Sequence, residues 1–165
     1  MVQVQQIQTI TPCLWFDRNA EDAVGHYVAI FPNSRNVRVG RYGEGGPMPK
    51  GTAMMIEFEL NGLRLQALNG GPHFKFSEAI SLSIRCENQA EVDHYWDKLS
   101  AGGAPGRCGW VKDKFGLSWQ VVPSRLGDLM SGTDPARSSR VMQAVMAMNK
   151  LDIAALERAA ARETA

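Results

Sequence analysis

Hydrophobic and polar positions run through two similar rounds along this chain. From Ile7 to Phe16, β-branched and aromatic residues predict a strand, and Pro12 inside it points to an edge strand or a strand start. Asn19 then reads as a helix N-cap, with Ala20, Ala23, Val24, Tyr27 and Ile30 at helical spacing up to Phe31. Pro32-Asn33-Ser34 stops that helix. Val37 to Tyr42 predicts a strand, Gly43 to Gly51 a loose loop, and Ala53 to Leu60 an alternating strand. Asn61-Gly62 is the strongest short hairpin signal in the chain, and Leu63 to Leu68 pairs back across it. The first round therefore reads strand, helix, three strands.

After a bridging loop at Asn69-Gly70-Gly71-Pro72-His73, the order returns. Ala79 to Cys86 alternates as a strand, and Gln89 to Leu99 forms a helix ended by Gly102-Gly103. Strands follow near Gly109 to Lys112 and at Leu117 to Val122, with Phe115-Gly116 at the turn and Pro123 closing the sheet. Beyond it the composition shifts to Ala, Met and Arg. Asp134-Pro135 is a cap and first-turn pair for a helix through about Met148, and Asp152 caps a last helix. Met142, Val145, Met146 and Met148 make a packing face on this tail.

The likeness of the two rounds extends to residues. Gly62-Leu63-Arg64-Leu65-Gln66-Ala67-Leu68 returns as Gly116-Leu117-Ser118-Trp119-Gln120-Val121-Val122, an offset of 54 (116 − 62). Asn19-Ala20-Glu21-Asp22 matches Asn88-Gln89-Ala90-Glu91 more loosely, at an offset of 69 (88 − 19). Such duplication means that two supersecondary units, about 7–69 and 78–123, share one architecture. The tail, 124–165, belongs to neither.

Composition narrows the class. A chain of 165 residues fits one domain or two small packed halves, and its net charge of +1, without a basic run, makes nucleic acid and anionic membranes poor partners. No apolar stretch reaches the roughly 20 residues of a spanning helix, and Met1 to Gln8 lacks the pattern of a signal peptide. Cys13, Cys86 and Cys108 form an odd set without CxxC spacing, which argues for a reducing compartment and a cytoplasmic protein.

Two βαβββ units in tandem, without a Rossmann or P-loop signature, resemble the vicinal oxygen chelate superfamily of glyoxalase I, extradiol dioxygenases and bleomycin-resistance proteins. Ile10-Thr11-Pro12-Cys13-Leu14-Trp15-Phe16-Asp17, Leu68-Asn69-Gly70-Gly71-Pro72 and Trp110-Val111-Lys112-Asp113-Lys114-Phe115-Gly116-Leu117-Ser118-Trp119-Gln120-Val121-Val122-Pro123 resemble its PhnB-like branch, often labelled demethylubiquinone methyltransferase. The resemblance implies an α+β glyoxalase-like domain over 1–123, with cupped mixed sheets, followed by a helical extension over 124–165. It also implies a homodimer and a small-molecule ligand.

Metal-bearing members of the superfamily use four ligands, two from each repeat. By resemblance those positions fall on Pro12, Gln66, Ser81 and Gln120. Proline offers no side-chain ligand, serine is a weak one, and two neutral amides lack the charge to hold a divalent ion. The expectation is a cavity without metal or other cofactor, where Gln66 and Gln120 orient a ligand between walls drawn from Trp15, Phe74 and Trp110. The plainer alternative is that the amides bond each other or a buried water and the aromatics only pack.

His73, after the glycine-proline loop, is the candidate acid or base, or else an exposed loop histidine. Cys108, near Arg107 and Lys112, is a second candidate, or a small buried thiol. Asp113 is either catalytic or a turn former. A lyase-, isomerase- or transferase-like enzyme and a non-catalytic binding or resistance protein are both consistent with this set. A metal-dependent glyoxalase or dioxygenase needs Glu57, Glu59 or His73 to converge with another carboxylate or imidazole. A methyltransferase of the common type needs a parallel sheet and a glycine-rich turn after its first strand, and the chain carries neither.

Overall fold

In a computed structural model, residues 8–131 and 134–161 are described, and they form two compact units divided between Lys75 and Phe76. No helix among them is long and apolar enough to cross a membrane.

The first unit follows the order strand β1 (Cys13–Phe16), helix α1 (Ala20–Ile30), then strands β2 (Arg35–Arg41), β3 (Ala53–Leu60) and β4 (Leu63–Asn69). They make one mixed sheet in the order β1-β4-β3-β2, with β1 parallel to β4 and the other pairs antiparallel. The hairpin forms where expected. Asn61 and Gly62 both have positive φ (44° and 89°), and Leu60 pairs with Leu63, which is the mirror-image two-residue turn that suits strand twist. Helix α1 buries Ala20, Ala23, Val24, Tyr27 and Ile30, the face that its spacing predicts, against the sheet.

Two expectations change here. The strand expected over Ile7–Phe16 spans only Cys13–Phe16; residues 8–12 precede it, and Ile7 lies outside the described residues. Pro12 has no N–H for the ladder, and only its carbonyl joins, accepting from the Gln66 N–H at 2.9 Å. Asn19 precedes α1, but its side chain makes no cap hydrogen bond. The cap comes from the far end of β4, where Asn69 Oδ1 accepts from the Ala20 N–H at 2.9 Å.

The second unit runs β5 (Ser81–Cys86), α2 (Gln89–Ser100), β6 (Ala104–Pro105), β7 (Trp110–Lys112) and β8 (Ser118–Pro123). The sheet order is β5-β8-β7-β6, the arrangement of the first unit again, with β5 parallel to β8. Here Asn88 does cap its helix, accepting from the Glu91 N–H. Strand β6, two residues ending in a proline, was not expected from the sequence.

The tail adds α3 (Arg125–Met130), α4 (Pro135–Ala147) and α5 (Ile153–Ala161). The Asp134 and Asp152 side chains cap α4 and α5 as expected, and the six-residue α3 was not foreseen. Leu129, Val141, Val145, Leu151 and Leu156 form a core of their own within the unit. The tail is also stitched to the repeat: the Cys108 and Gly109 N–H groups donate to Met148 O and Asn149 O at 2.8 Å. The Gln89 amide donates to Leu151 O and accepts from the Ile153 N–H. The expected methionine face divides accordingly, with Val145 and Met148 inward and Met142 and Met146 exposed.

Candidate functional site

Strand alternation gives each sheet two faces. In the first unit Leu14, Phe16, Leu65 and Ala67 are buried on the α1 side. Cys13, Trp15, Gln66 and Leu68 therefore point to the opposite face, where Cys13 pairs with Gln66 and Trp15 with Leu68. Gln66 lines a cavity of about 140 Å³ together with Gln8, Thr11, Glu57 and Arg64. Its side-chain amide makes no hydrogen bond among the described residues, while Glu57 and Glu59 are paired with Arg38 and Arg35.

At the end of that face, the loop after β4 gathers three of the expected residues. Trp15 Nε1 donates to Gly71 O at 2.9 Å, and its ring meets Phe74 edge-on, 4.9 Å between centroids. His73 folds back so that its ring lies 3.6 Å from the place a Cβ on Gly71 would take. Gly70 sits flush on the indole: a Cβ there would fall 2.3 Å from Trp15, so only glycine fits. Tyr42, which the sequence reading overlooked, donates its hydroxyl to Asn69 O at 2.7 Å and pins the start of the loop. Phe74 is 66% exposed, a large apolar ring left to solvent.

In the second unit Trp119 and Val121 face inward. Trp119 Nε1 donates to Asp113 Oδ2, and Asp113 Oδ1 accepts from the Phe115 and Leu117 N–H groups, so this buried carboxylate is the organiser of the turn before β8. The other face carries Ser118, Gln120 and Trp110, which pairs with Gln120. Gln120 Nε2 donates to Ser81 Oγ at 2.9 Å, so two of the superfamily ligand positions are bonded to each other. Lys112 is paired with Glu78, whose carboxyl that hydrogen bond holds below the usual carboxylate range. Ser118, another residue missed in the sequence, lies with Trp110 and Lys112 in a cavity of about 220 Å³.

Cys108 stands apart from Trp110 and Gln120. It packs against the tail core at φ 58°, with Sγ 3.4 Å from Met146 Sδ. Of the other thiols, Cys13 is exposed and Cys86 buried, where burial pushes its pKa up to about 12.

A divalent ion fits these residues poorly. Pro12 presents only a carbonyl already used by Gln66, the Gln120 amide is turned to donate to Ser81, and no cluster of three His, Cys, Asp or Glu occurs among the described residues. S-adenosylmethionine fits no better. The turn after β1 is Asp17-Arg18-Asn19, without glycine, and the Ala20 N–H at the helix start is already bonded to Asn69.

Comparison with known proteins gives the lineage. The model of the 3-demethylubiquinone-9 3-methyltransferase family matches residues 8–122. A comparison with curated proteins finds no match. Among solved structures, one from Bacillus cereus described as a 3-demethylubiquinone-9 3-methyltransferase, PhnB protein, is 35% identical; the match covers 71% of this chain and 100% of that one, with a TM-score of 0.66. A protein from Pseudomonas aeruginosa shares the fold at 20% identity, covering 70% of this chain and 97% of that one, with a TM-score of 0.59. The chain belongs to the 3-demethylubiquinone-9 3-methyltransferase family, the PhnB-like branch of the vicinal oxygen chelate superfamily.

Proposed function

We propose that this chain binds a small organic molecule on the sheet faces turned away from α1 and α2, without a metal ion. The observation that carries this reading is the Gln120–Ser81 hydrogen bond. Positions that serve as metal ligands in relatives are here neutral amides and hydroxyls, suited to orienting a polar group of a ligand. Gln66 supplies the same chemistry in the first unit, where Trp15 and Phe74 add apolar ring surface, as Trp110 does in the second.

His73, exposed on the loop after β4 with its ring against Gly71, is the group to move a proton. An exposed imidazole on this loop, with amides to hold the substrate, supports a lyase-, isomerase- or transferase-type reaction driven by positioning. The alternative is sequestration without turnover, favoured by the exposure of Phe74, which offers an apolar contact and no chemistry. Replacing His73 by Gln separates the two: an enzyme loses turnover and keeps affinity, whereas a binder shows neither turnover nor a change. The family description names a methyltransferase; calorimetry with S-adenosylmethionine is expected to show no heat, and binding would reinstate that activity.

Homodimer formation and cytoplasmic residence go with this reading, the latter supported by three thiols without a disulfide among them. Sedimentation tests the first. Metal content of the purified protein, with melting curves during nickel, zinc and manganese titration, tests the whole: no bound metal and no shift supports it, and a rise of several degrees overturns it.

A further inference from the structure

The dipeptide Asn-Gly stands at both ends of β4, and the fold treats its two copies in opposite ways. Asparagine is thermolabile, and a following glycine makes it more so. The glycine nitrogen, unshielded by a side chain, can attack the asparagine carboxamide carbon and expel ammonia. A folded chain blocks that attack by holding the carboxamide in hydrogen bonds or by holding the peptide out of reach.

Asn69-Gly70 is blocked in both ways. Its Oδ1 accepts from the Ala20 N–H and its Nδ2 donates to Ala53 O, each at 2.9 Å, with the side chain 1% exposed. The nucleophile is engaged as well: the Gly70 N–H donates to Phe16 O at 2.9 Å, and Gly70 lies flush against the Trp15 ring. Asn61-Gly62 is blocked in neither. Both residues are exposed, and a Cβ on Gly62 would meet no atom within 4 Å. Neither the Asn61 carboxamide nor the Gly62 N–H makes a hydrogen bond among the described residues. The turn is held instead by the Leu60–Leu63 strand pair and by the Asn61 N–H, which donates to Ser34 Oγ at 3.1 Å. Swinging the Asn61–Gly62 peptide toward Cγ therefore breaks no bond made by either reacting group.

We propose that Asn61 is a site of spontaneous deamidation, with water as its only co-reactant, and that the fold protects Asn69 from the same reaction. The Gly62 nitrogen forms a bond to Asn61 Cγ. The bond from Cγ to Nδ2 breaks, and Nδ2 leaves as ammonia with the proton given up by Gly62. The five-membered imide then takes up one water. Opening at Cγ gives aspartate, and opening at the main-chain carbonyl gives isoaspartate, whose backbone runs through the side-chain carbons. Either product adds a negative charge. Isoaspartate also lengthens a two-residue turn that has no slack, and so alters the hairpin in which Glu57 pairs with Gln66.

The test incubates the full chain in heavy-oxygen water at mildly alkaline pH, where the peptide nitrogen ionises more readily, and maps the label by tandem mass spectrometry. Label is expected to enter residue 61 about tenfold or more faster than residue 69, because reaction at 69 needs local opening of buried hydrogen bonds. In guanidinium chloride the two sites are expected to react at similar rates, since the dipeptide is the same. Equal labelling of the two in the native chain overturns the proposal. So does the absence of label at 61 over a period in which the unfolded chain converts it. A preference that persists unchanged in guanidinium chloride also overturns it, because neighbouring sequence and not the fold would then be the cause.

Discussion

Asn69 Oδ1 accepts a hydrogen bond from the Ala20 N–H, so the helix that opens the first unit is capped by the residue that ends its last strand. The same amide donates to Ala53 O at 2.9 Å, and the whole side chain is 1% exposed. One residue thus locks α1, β3 and β4 together. Asn69→Ala strips the cap and leaves two buried backbone groups unpaired, so it is expected to cost about 2 kcal/mol or more. Asn19→Ala, at the position next to the helix, is expected to stay within about 0.5 kcal/mol of wild type. Urea denaturation of both variants checks the pair.

The flat contact between Gly70 and Trp15 makes a second prediction. Gly70→Ala places a methyl inside the indole, and the ring must leave its position to admit it. A cost of about 1–3 kcal/mol is expected, as for other overpacked sites. The Trp15 bond to Gly71 O and its contact with Phe74 go with it. Tryptophan emission, read against Trp15→Phe as the blank, is expected to shift toward that of a solvated indole.

Cys86 links stability to alkaline pH. Its folded pKa, near 12, stands above its ordinary value of 9.0 because burial opposes the thiolate, with Glu91 and Glu87 adding to the effect. A raised pKa means that the unfolded chain gives up its proton first. The stabilisation is therefore whole below pH 9 and is lost as pH climbs toward 12, at up to about 1.4 kcal/mol per pH unit. Wild type is expected to lose melting temperature more steeply than Cys86→Ala above pH 9, and parallel slopes would remove the assignment.

The tail core predicts a large effect outside the strands of either sheet. Leu156 is fully buried among Leu129, Val141, Val145 and Leu151. Leu156→Ala is expected to destabilise by about 2–5 kcal/mol. Because Gln89 of α2 bonds Leu151 and Ile153, the loss is expected to show in amide exchange of α2 and not only in the tail.

These cases mark what a linear reading can reach. Asn61-Gly62, the α1 face and the caps at Asp134 and Asp152 were legible because each depends on neighbours within a few residues. Trp15, His73 and Phe74 were legible as candidates because the glycine-rich loop between the repeats had to sit near a strand end. The Asn69 cap was not, since its partner is 49 positions away and Asn19 offered the local signal first. Ser118 was hidden for a related reason: nothing in Gly116-Leu117-Ser118 states that the hydroxyl is buried without a partner among the described residues. Strand β6 and helix α3 were too short to carry a period.

The clamp between residues 108–109 and 148–149 bears on how the chain is made. Every contact that defines the first unit is available once Lys75 has left the ribosome. In the second, the loop before β7 waits for a partner some forty residues downstream, so β7 and β8 emerge well before the segment that fastens them. During synthesis the two halves therefore mature in sequence, and the interval between them is when Trp110 and its neighbours are most open to chaperones or to misassembly.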